Sequence, residues 1–266
     1  MLARLYARLP GALTRGLVPA LVDRLPVSEG KVSFDFKARR FVANALQEPG
    51  RRHYAWKAFF DDRMKQDVLT EDVLAAINGG LDAFPVFRRH YDDVAHHDAL
   101  NRFLYVDTKV SLADDILVKV DRMSMAHSLE VRVPLLDHRV AEFAFGLPGR
   151  MKMPGLALKH LLKETMRGLV PDAVLKKRKA GFNVPLPAWL KRDLKPLVDE
   201  YLSPSRVQRE GFFRPQTVSR LVGDHLAGRA DYSRNIWALL LFGLWLEQSP
   251  APLAERTAAC SAGAVA

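Results

Sequence analysis

The sequence predicts a mainly α-helical protein. Apolar residues recur at steps of three and four along most of the chain, and no stretch alternates apolar and polar residues as a half-buried strand would. Prolines and glycines punctuate the chain where helices would start or stop.

The elements follow in order. Residues 1 to about 50 read as short helices cut by Pro10, Pro19 and Pro26, ending in the turn at Pro49 and Gly50. Residues 51–75 carry helical periodicity, with Trp56, Phe59, Phe60 and Met64 on one face and Thr70 placed to cap a helix through Glu71 and Asp72. A loop holding Gly79, Gly80 and Pro85 precedes helices expected from Val86 to Ala95 and from Ala99 to Lys109, the second with Phe103, Leu104 and Val106 inward. From Ser111 to Ser128 the pattern predicts a strong helix, with Ser111 as N-cap and Asp114 and Asp115 at the positive end of its dipole. Leu112, Ile116, Val120 and Met123 form its apolar stripe, and Asp115, Lys119 and Arg122 lie on another face. Pro134 and the segment Leu135-Leu136-Asp137 turn the chain, and Asp137 can cap a helix through Val140, Phe143 and Ala144. Residues 157–168 predict a helix closed by Gly168. Gly181, Pro185 and Pro187 keep residues 176–187 irregular. Helices are then expected from Ala188 toward Tyr201, over 215–227 and over 233–247, before a small-residue tail after Ser249 expected to be disordered.

Composition narrows the function. Of 266 residues 48% are hydrophobic and 26% charged, as in a soluble globular chain large enough for one or two domains. No run nears the roughly 18–20 apolar residues of a membrane helix; the longest, Trp237 to Trp245, is interrupted by Gly243 and reads as a buried helix. The Arg-rich stretch before Asp23 has the charge of a transit peptide, but its prolines divide it and no apolar core for secretion is present. Cys260 is the single cysteine, so no intrachain disulfide can form and no multi-cysteine metal site exists, which fits a cytoplasmic setting. The net charge of +10 is concentrated: residues 151–200 carry eleven Lys and Arg against five Asp and Glu. That clustering among glycines and prolines suits a small polyanion at least as well as nucleic acid.

Two segments can carry chemistry. Residues 119–137 mix Lys119, Asp121, Arg122, Glu130, Arg132 and Asp137 with core-type residues. Some of these charges are expected to be buried and paired, and the simplest reading is a structural network joining Glu130 to Arg122 or Arg132. The second is Lys176-Lys177-Arg178-Lys179-Ala180-Gly181-Phe182. Four consecutive cations repel unless solvated or matched to an anion, so this is either an exposed basic loop or one that closes on phosphate. No Gly-rich phosphate loop of either common type occurs, nor a Ser-Gly-Gly-x-Asp-Ser stretch. His90, His96 and His97 lack metal-ligand spacing and read as a solvated helix end, so no metal site is assigned.

These segments resemble the synthetase domain of class-B, glutamine-hydrolysing asparagine synthetases. The resemblance rests on DDILVKVDRMSMAHSLEVRVPLLDHRVAEFAFGLP, LKHLLKE, LVPDAVLKKRKAGFNVPLPAWL and HLAGRADYSRNIWALLLFGLWLE, in family order from about Tyr105 to Gln248. It implies a variable helical region over 1–104, a conserved C-terminal region over 105–248 and a tail over 249–266. It also implies the C-terminal helical part of an α/β ATP-pyrophosphatase-type domain whose parallel sheet is missing. In the family, ATP with Mg²⁺ converts a carboxylate, by default that of aspartate, to an acyl-adenylate, which ammonia from glutamine then attacks. Lys179 matches the loop lysine that stabilises developing charge, and Asp115 or Asp114 an acidic residue beside the substrate. Lys159 matches a lysine facing the pyrophosphate, with Lys119 and Arg122 as further candidates for binding substrate or pyrophosphate. Glu130, Arg132 and Asp137 match the E-x-R-V-P-x-L-D signature and are expected to brace the pocket.

The departures imply a partner. A family member with a glutaminase domain begins with a catalytic cysteine, where this chain has Leu2, and carries the Ser-Gly-Gly-x-Asp-Ser loop and an acidic Gly-rich turn. This chain is expected to start just after that turn, as a fragment or split subunit. It is then expected to bind ATP weakly alone and to expose helical faces that an upstream polypeptide with the ATP loop and glutaminase would cover. The other readings are a non-catalytic helical interaction module and, from charge alone, a nucleic-acid-binding protein.

Overall fold

A computed structural model of the chain describes residues 2–26, 34–177, 181 and 184–248. Its regular structure is helical, and among the described residues no strand forms; the extended pairings are isolated bridges, Leu69 with Phe213 and Arg167 with Val170. The chain falls into two compact units, Met1–Ala83 with Phe182–Ala266, and Phe84–Gly181.

The first unit is sewn together from the two ends of the sequence. Arg214 N–H donates to the Val68 carbonyl (2.8 Å) and Thr70 N–H to that of Phe212 (3.1 Å), so a short extended contact joins segments far apart in sequence. Around it Val68, Leu190, Val198, Val207, Val218, Leu221, Ile236 and Leu239 form the core. Full burial of each such side chain contributes roughly 1.5–3 kcal/mol. The Ser233–Gln248 helix is apolar on most sides because it is the central element. A smaller cluster of Ala3, Tyr6 and Ala45 closes the N-terminal end, where the Tyr6 hydroxyl donates to the Thr14 carbonyl at 2.7 Å.

Three local expectations for this unit are corrected. The periodic stretch before Thr70 is not continuous but divides into Pro49–Ala55 and Asp62–Val68, ahead of the expected next helix, Glu71–Ala76. The break falls where Asp61 leaves the helix to cap the next one, accepting from Met64 N–H at 2.8 Å. Thr70 holds the N-cap position of Glu71–Ala76, but its hydroxyl donates instead to the Gly211 carbonyl (2.8 Å). The helix expected from Ala188 divides into Leu186–Lys191 and Lys195–Tyr201.

In the Phe84–Gly181 unit the helices Ala99–Val106 and Val118–Met125 are joined without interruption by a π-helical stretch, Asp107–Leu117. Such wide turns are rare at this length and concentrate at functional sites. Ser111 is therefore interior to a long rod and not a cap, and Asp114 and Asp115 gain no N-terminal dipole. The true cap is Asp98, which accepts from Leu100 N–H (3.0 Å) and Asn101 N–H (3.1 Å) and reaches Gly149 N–H at 2.9 Å. Asn101 extends the tie to the Leu147 carbonyl (3.0 Å), so the rod's first turn anchors the chain after the His138–Gly146 helix. Gly149 is required there, because a Cβ would stand 2.4 Å from the Asp98 carboxylate. Arg102 stacks on the Tyr91 ring at 3.7 Å and donates to the Tyr91 carbonyl, holding Phe84–Asp93 against the rod.

Burial raises the Asp98 carboxyl, but the N–H groups of Gly149, Asn101 and Leu100 and the Lys152 ammonium outweigh it and hold the carboxyl below its ordinary value. A carboxyl depressed in the fold stabilises it above the unfolded value of about 3.9 and loses that contribution as pH falls through the lower folded value. Asp98→Ala is expected to cost about 1–2 kcal/mol in urea denaturation at neutral pH. Asp98→Asn is expected to flatten the loss of stability on acidification below about pH 4.

Candidate functional site

The described members of the expected site all lie in the Phe84–Gly181 unit, in three places. Lys179 lies outside the described residues.

The first place is the rod. Asp115 ends its π-helical stretch, and Lys119 and Arg122 follow on the α-helical turns; all three are exposed. The apolar stripe between them is exposed as well, with Ile116 at 44%, Val120 at 36% and Met123 at 60%.

The second place is the segment from Ser128, which takes a left-handed backbone (φ +56°), to Asp137. Glu130 pairs with Arg132, one of the two partners expected, but the side chains are 69% and 87% exposed. The expected burial of charge in this segment does not occur within the chain. The intervening apolar residues Leu129, Val131 and Val133 are themselves exposed, so no low-dielectric surroundings form. Asp137 caps the His138–Gly146 helix, accepting from Arg139 N–H at 2.9 Å. The Arg139 guanidinium grips the same carboxylate at 2.9 and 2.8 Å and, with the Arg139 and Val140 N–H groups, holds it below its ordinary value.

The third place is a groove of about 620 Å³ with a floor of Leu135, Leu158, Leu162, Met166, Val170, Val174 and Leu175 and a rim of Lys159, Lys163, Lys176 and Lys177. Lys159 sits at the N-cap of His160–Thr165 in a left-handed conformation (φ +56°, ψ 32°). That conformation costs a non-glycine residue roughly 1–2 kcal/mol, and such strain gathers at functional sites. Lys163 follows one helical turn later on the same side. Lys176 is tethered to Asp172 at 2.8 Å, one turn back on the Asp172–Lys176 helix, and with Lys177 it leads directly toward Lys179.

The structure thus brings Lys159 together with Leu135 of the signature segment and with the start of the basic loop. Asp115, Lys119, Arg122, Glu130, Arg132 and Asp137 do not line this groove. Sequence reasoning missed Lys163, although its four-residue spacing from Lys159 in LKHLLKE was the available signal. Four ammonium groups around an apolar floor can neutralise a polyphosphate without a Gly-rich loop. Among the described residues no three His, Cys, Asp or Glu side chains gather as metal ligands. His90 is not the solvated side chain expected, since it packs edge-on against Tyr105.

These features define a helical unit carrying a cation-rimmed groove and no sheet among its described residues. A family model described as Asparagine synthase matches residues 15–247, and the chain belongs to that family. It is 34% identical over 180 residues to asparagine synthetase [glutamine-hydrolyzing] 1 of Bacillus subtilis, covering 68% of this chain and 28% of that protein. It is 36% identical over 155 residues to a putative asparagine synthetase [glutamine-hydrolyzing] of Mycobacterium tuberculosis, covering 58% and 24%. With the human asparagine synthetase [glutamine-hydrolyzing] it shares 31% identity over 136 residues, covering 46% and 24%. The chain therefore spans about a quarter of the length of these relatives. No solved structure matches it. No helix among the described residues is long and apolar enough to cross a membrane.

Lys159→Gly is expected to raise stability by up to about 1 kcal/mol, since the left-handed strain is relieved at some cost in chain entropy. Lys159→Ala keeps the strain and is expected to leave stability within about 0.5 kcal/mol of the parent. Parallel chemical denaturation of the two variants checks both.

Proposed function

We propose that this chain is the helical portion of a glutamine-hydrolysing asparagine-synthase-type amidotransferase, present as a C-terminal fragment or split subunit. It works with polypeptide that supplies the nucleotide-binding sheet and the glutaminase. In this reading the side-chain carboxylate of aspartate, or of a related acid, attacks the α-phosphorus of ATP and expels pyrophosphate. Ammonia then attacks the acyl carbon, AMP leaves, and the excess proton passes to solvent.

The lysine-rimmed groove carries the reading. It lies within the family match, and Lys159, Lys163, Lys176 and Lys177 surround one space, with Lys179 two positions further on in the sequence. Cations placed there offset the charge of a departing pyrophosphate. The residues fit the phosphates of ATP better than the whole nucleotide. No carboxylate cluster for Mg²⁺ gathers among the described residues, so the ion is taken to arrive on the nucleotide.

The bare rod supports a covering polypeptide. Met123 and Met125 at its end, with Leu129, Leu135 and Phe143 in the segments that follow, are each more than half exposed, apolar surface that a covering polypeptide would remove from water. The covering part is either another chain or further sequence joined to this one.

The test is reconstitution. The chain is mixed with a polypeptide carrying the Ser-Gly-Gly-x-Asp-Ser loop and the glutaminase, and AMP, pyrophosphate and amide are measured with aspartate and glutamine. The expected result is stoichiometric formation of all three, reduced at least about 100-fold by Lys179→Ala. Absence of product while the two polypeptides bind each other would leave a non-catalytic interaction module in its place. A second expectation concerns the His138–Gly146 helix that follows the rod. Phe143→Glu removes an apolar side chain that is 68% exposed, so it is expected to abolish association while shifting the chain's own stability by less than about 0.5 kcal/mol.

A further inference from the structure

The Met1–Ala83 and Phe182–Ala266 unit holds a cavity of about 540 Å³, remote in sequence from the lysine-rimmed groove and untouched by the function proposed above. Its walls are the Phe34–Asn44 and Pro49–Ala55 helices, the turn at Ala58 to Arg63 and the segment Arg229 to Tyr232. The size is that of a small-molecule site, and Phe36, Tyr54 and Tyr232 give it aromatic surface.

The charges lining it do not cancel pairwise. Arg39 is committed to the carbonyls of Asp23 and Leu25, Arg51 to Asp82, and Arg229 to Asp224 at 2.7 Å. Of the four lining carboxylates, Asp61 is engaged as a helix cap, Asp62 by Lys65 at 3.1 Å and Asp231 by the Ser233 N–H at 3.0 Å, and Asp35 is buried with a partner of its own. Two lining arginines remain, Arg40 and Arg63, and no carboxylate among the described residues pairs with either.

Arg40 is the telling one. Its Nη2 donates to the Ala58 carbonyl, but its Nε is buried with no hydrogen-bond partner. Its guanidinium stands 5.9 Å from the centre of the Phe36 ring, and that of Arg234 stands 4.8 Å from the same ring. Burial and then the Arg234 charge hold Arg40 below the usual guanidinium range, with Asp61 only partly opposing them. Two like charges sharing one aromatic ring, one of them half-buried and without a carboxylate ion pair among the described residues, are unfavourable unless a counter-ion is supplied.

We propose that this cavity binds a small molecule through an oxyanion, a phosphate or a carboxylate, which Arg40 and Arg63 receive while Arg234 reinforces the field through the Phe36 ring. The remaining aromatic and polar wall, with Asn44 and Gln47, holds the body of the ligand. Arginine suits this role because its charge persists at every physiological pH and its planar fork matches an oxyanion.

The test is thermal denaturation of the full chain at fixed ionic strength, with chloride exchanged for inorganic phosphate or for acetate up to about 20 mM. The wild type is expected to gain a few degrees in one or both anions. Arg40→Met and Arg63→Gln are expected to abolish the gain. Arg40→Met is also expected to melt higher than wild type in chloride alone, since it removes a half-buried cation that has no carboxylate ion pair among the described residues. A gain in phosphate alone assigns a phosphoryl ligand, and a gain in acetate alone a carboxylate. Should Arg40→Met fail to fold, Arg63→Gln decides. Equal gains in wild type and Arg63→Gln, or no gain with either anion in wild type, overturn the proposal.

Discussion

A long helix in water depends on having its apolar side covered, and that constraint organises this molecule. The rod of the Phe84–Gly181 unit meets it at one end only. Val106 is fully buried, and the Asp98, Asn101 and Gly149 ties lock the first turns to the neighbouring chain. From the last turn of the π-helical stretch onward the same rod presents Ile116, Val120 and Met123 to solvent, and the apolar exposure continues through Phe143. The other unit shows what full coverage looks like, with Ile236 and Leu239 of the central Ser233–Gln248 helix buried in one cluster with Val68, Leu190, Val198, Leu202, Val207, Val218 and Leu221. One sequence thus contains a finished core and an unfinished one.

The unfinished core explains the behaviour of the charged segment. Glu130 and Arg132 pair in the open, where an ion pair contributes at most about 1 kcal/mol. Covering Leu129, Val131 and Val133 would desolvate the same pair and make its geometry matter. Asp137 differs, because its cap and its two bonds to Arg139 are complete within the chain. The signature therefore divides into a locally satisfied turn and a stretch that stays exposed. The groove stands apart from both, since its lysines are brought together by short helices that the chain folds unaided.

The sequence made much of this legible where the physics is local. The helical class, the Asp137 cap, the Glu130–Arg132 pairing and the helices over 215–226 and 233–248 all follow from spacing and capping. It was less legible where a tertiary contact outbids a local one. Thr70 spends its hydroxyl on Gly211, a residue far along the chain, and Ser111 lies inside a helix because Asp98 caps the rod a dozen residues earlier. The left-handed backbone at Lys159 has no sequence signal, since a lysine there runs against its own preference. The apolar stripe was read correctly as a helix face, while the burial it normally implies depends on something to pack against.

The central claim is that the rod and the signature segment form a docking face for polypeptide completing an asparagine-synthase-type domain. Amide hydrogen exchange over residues 107–143 tests it most directly, measured on the chain alone and after mixing with a polypeptide bearing the nucleotide loop. The account predicts fast exchange in the chain alone beyond the anchored first turns, and strong protection across the segment on mixing. Slow exchange in the chain alone, or exchange unchanged by a polypeptide that binds elsewhere, would contradict it.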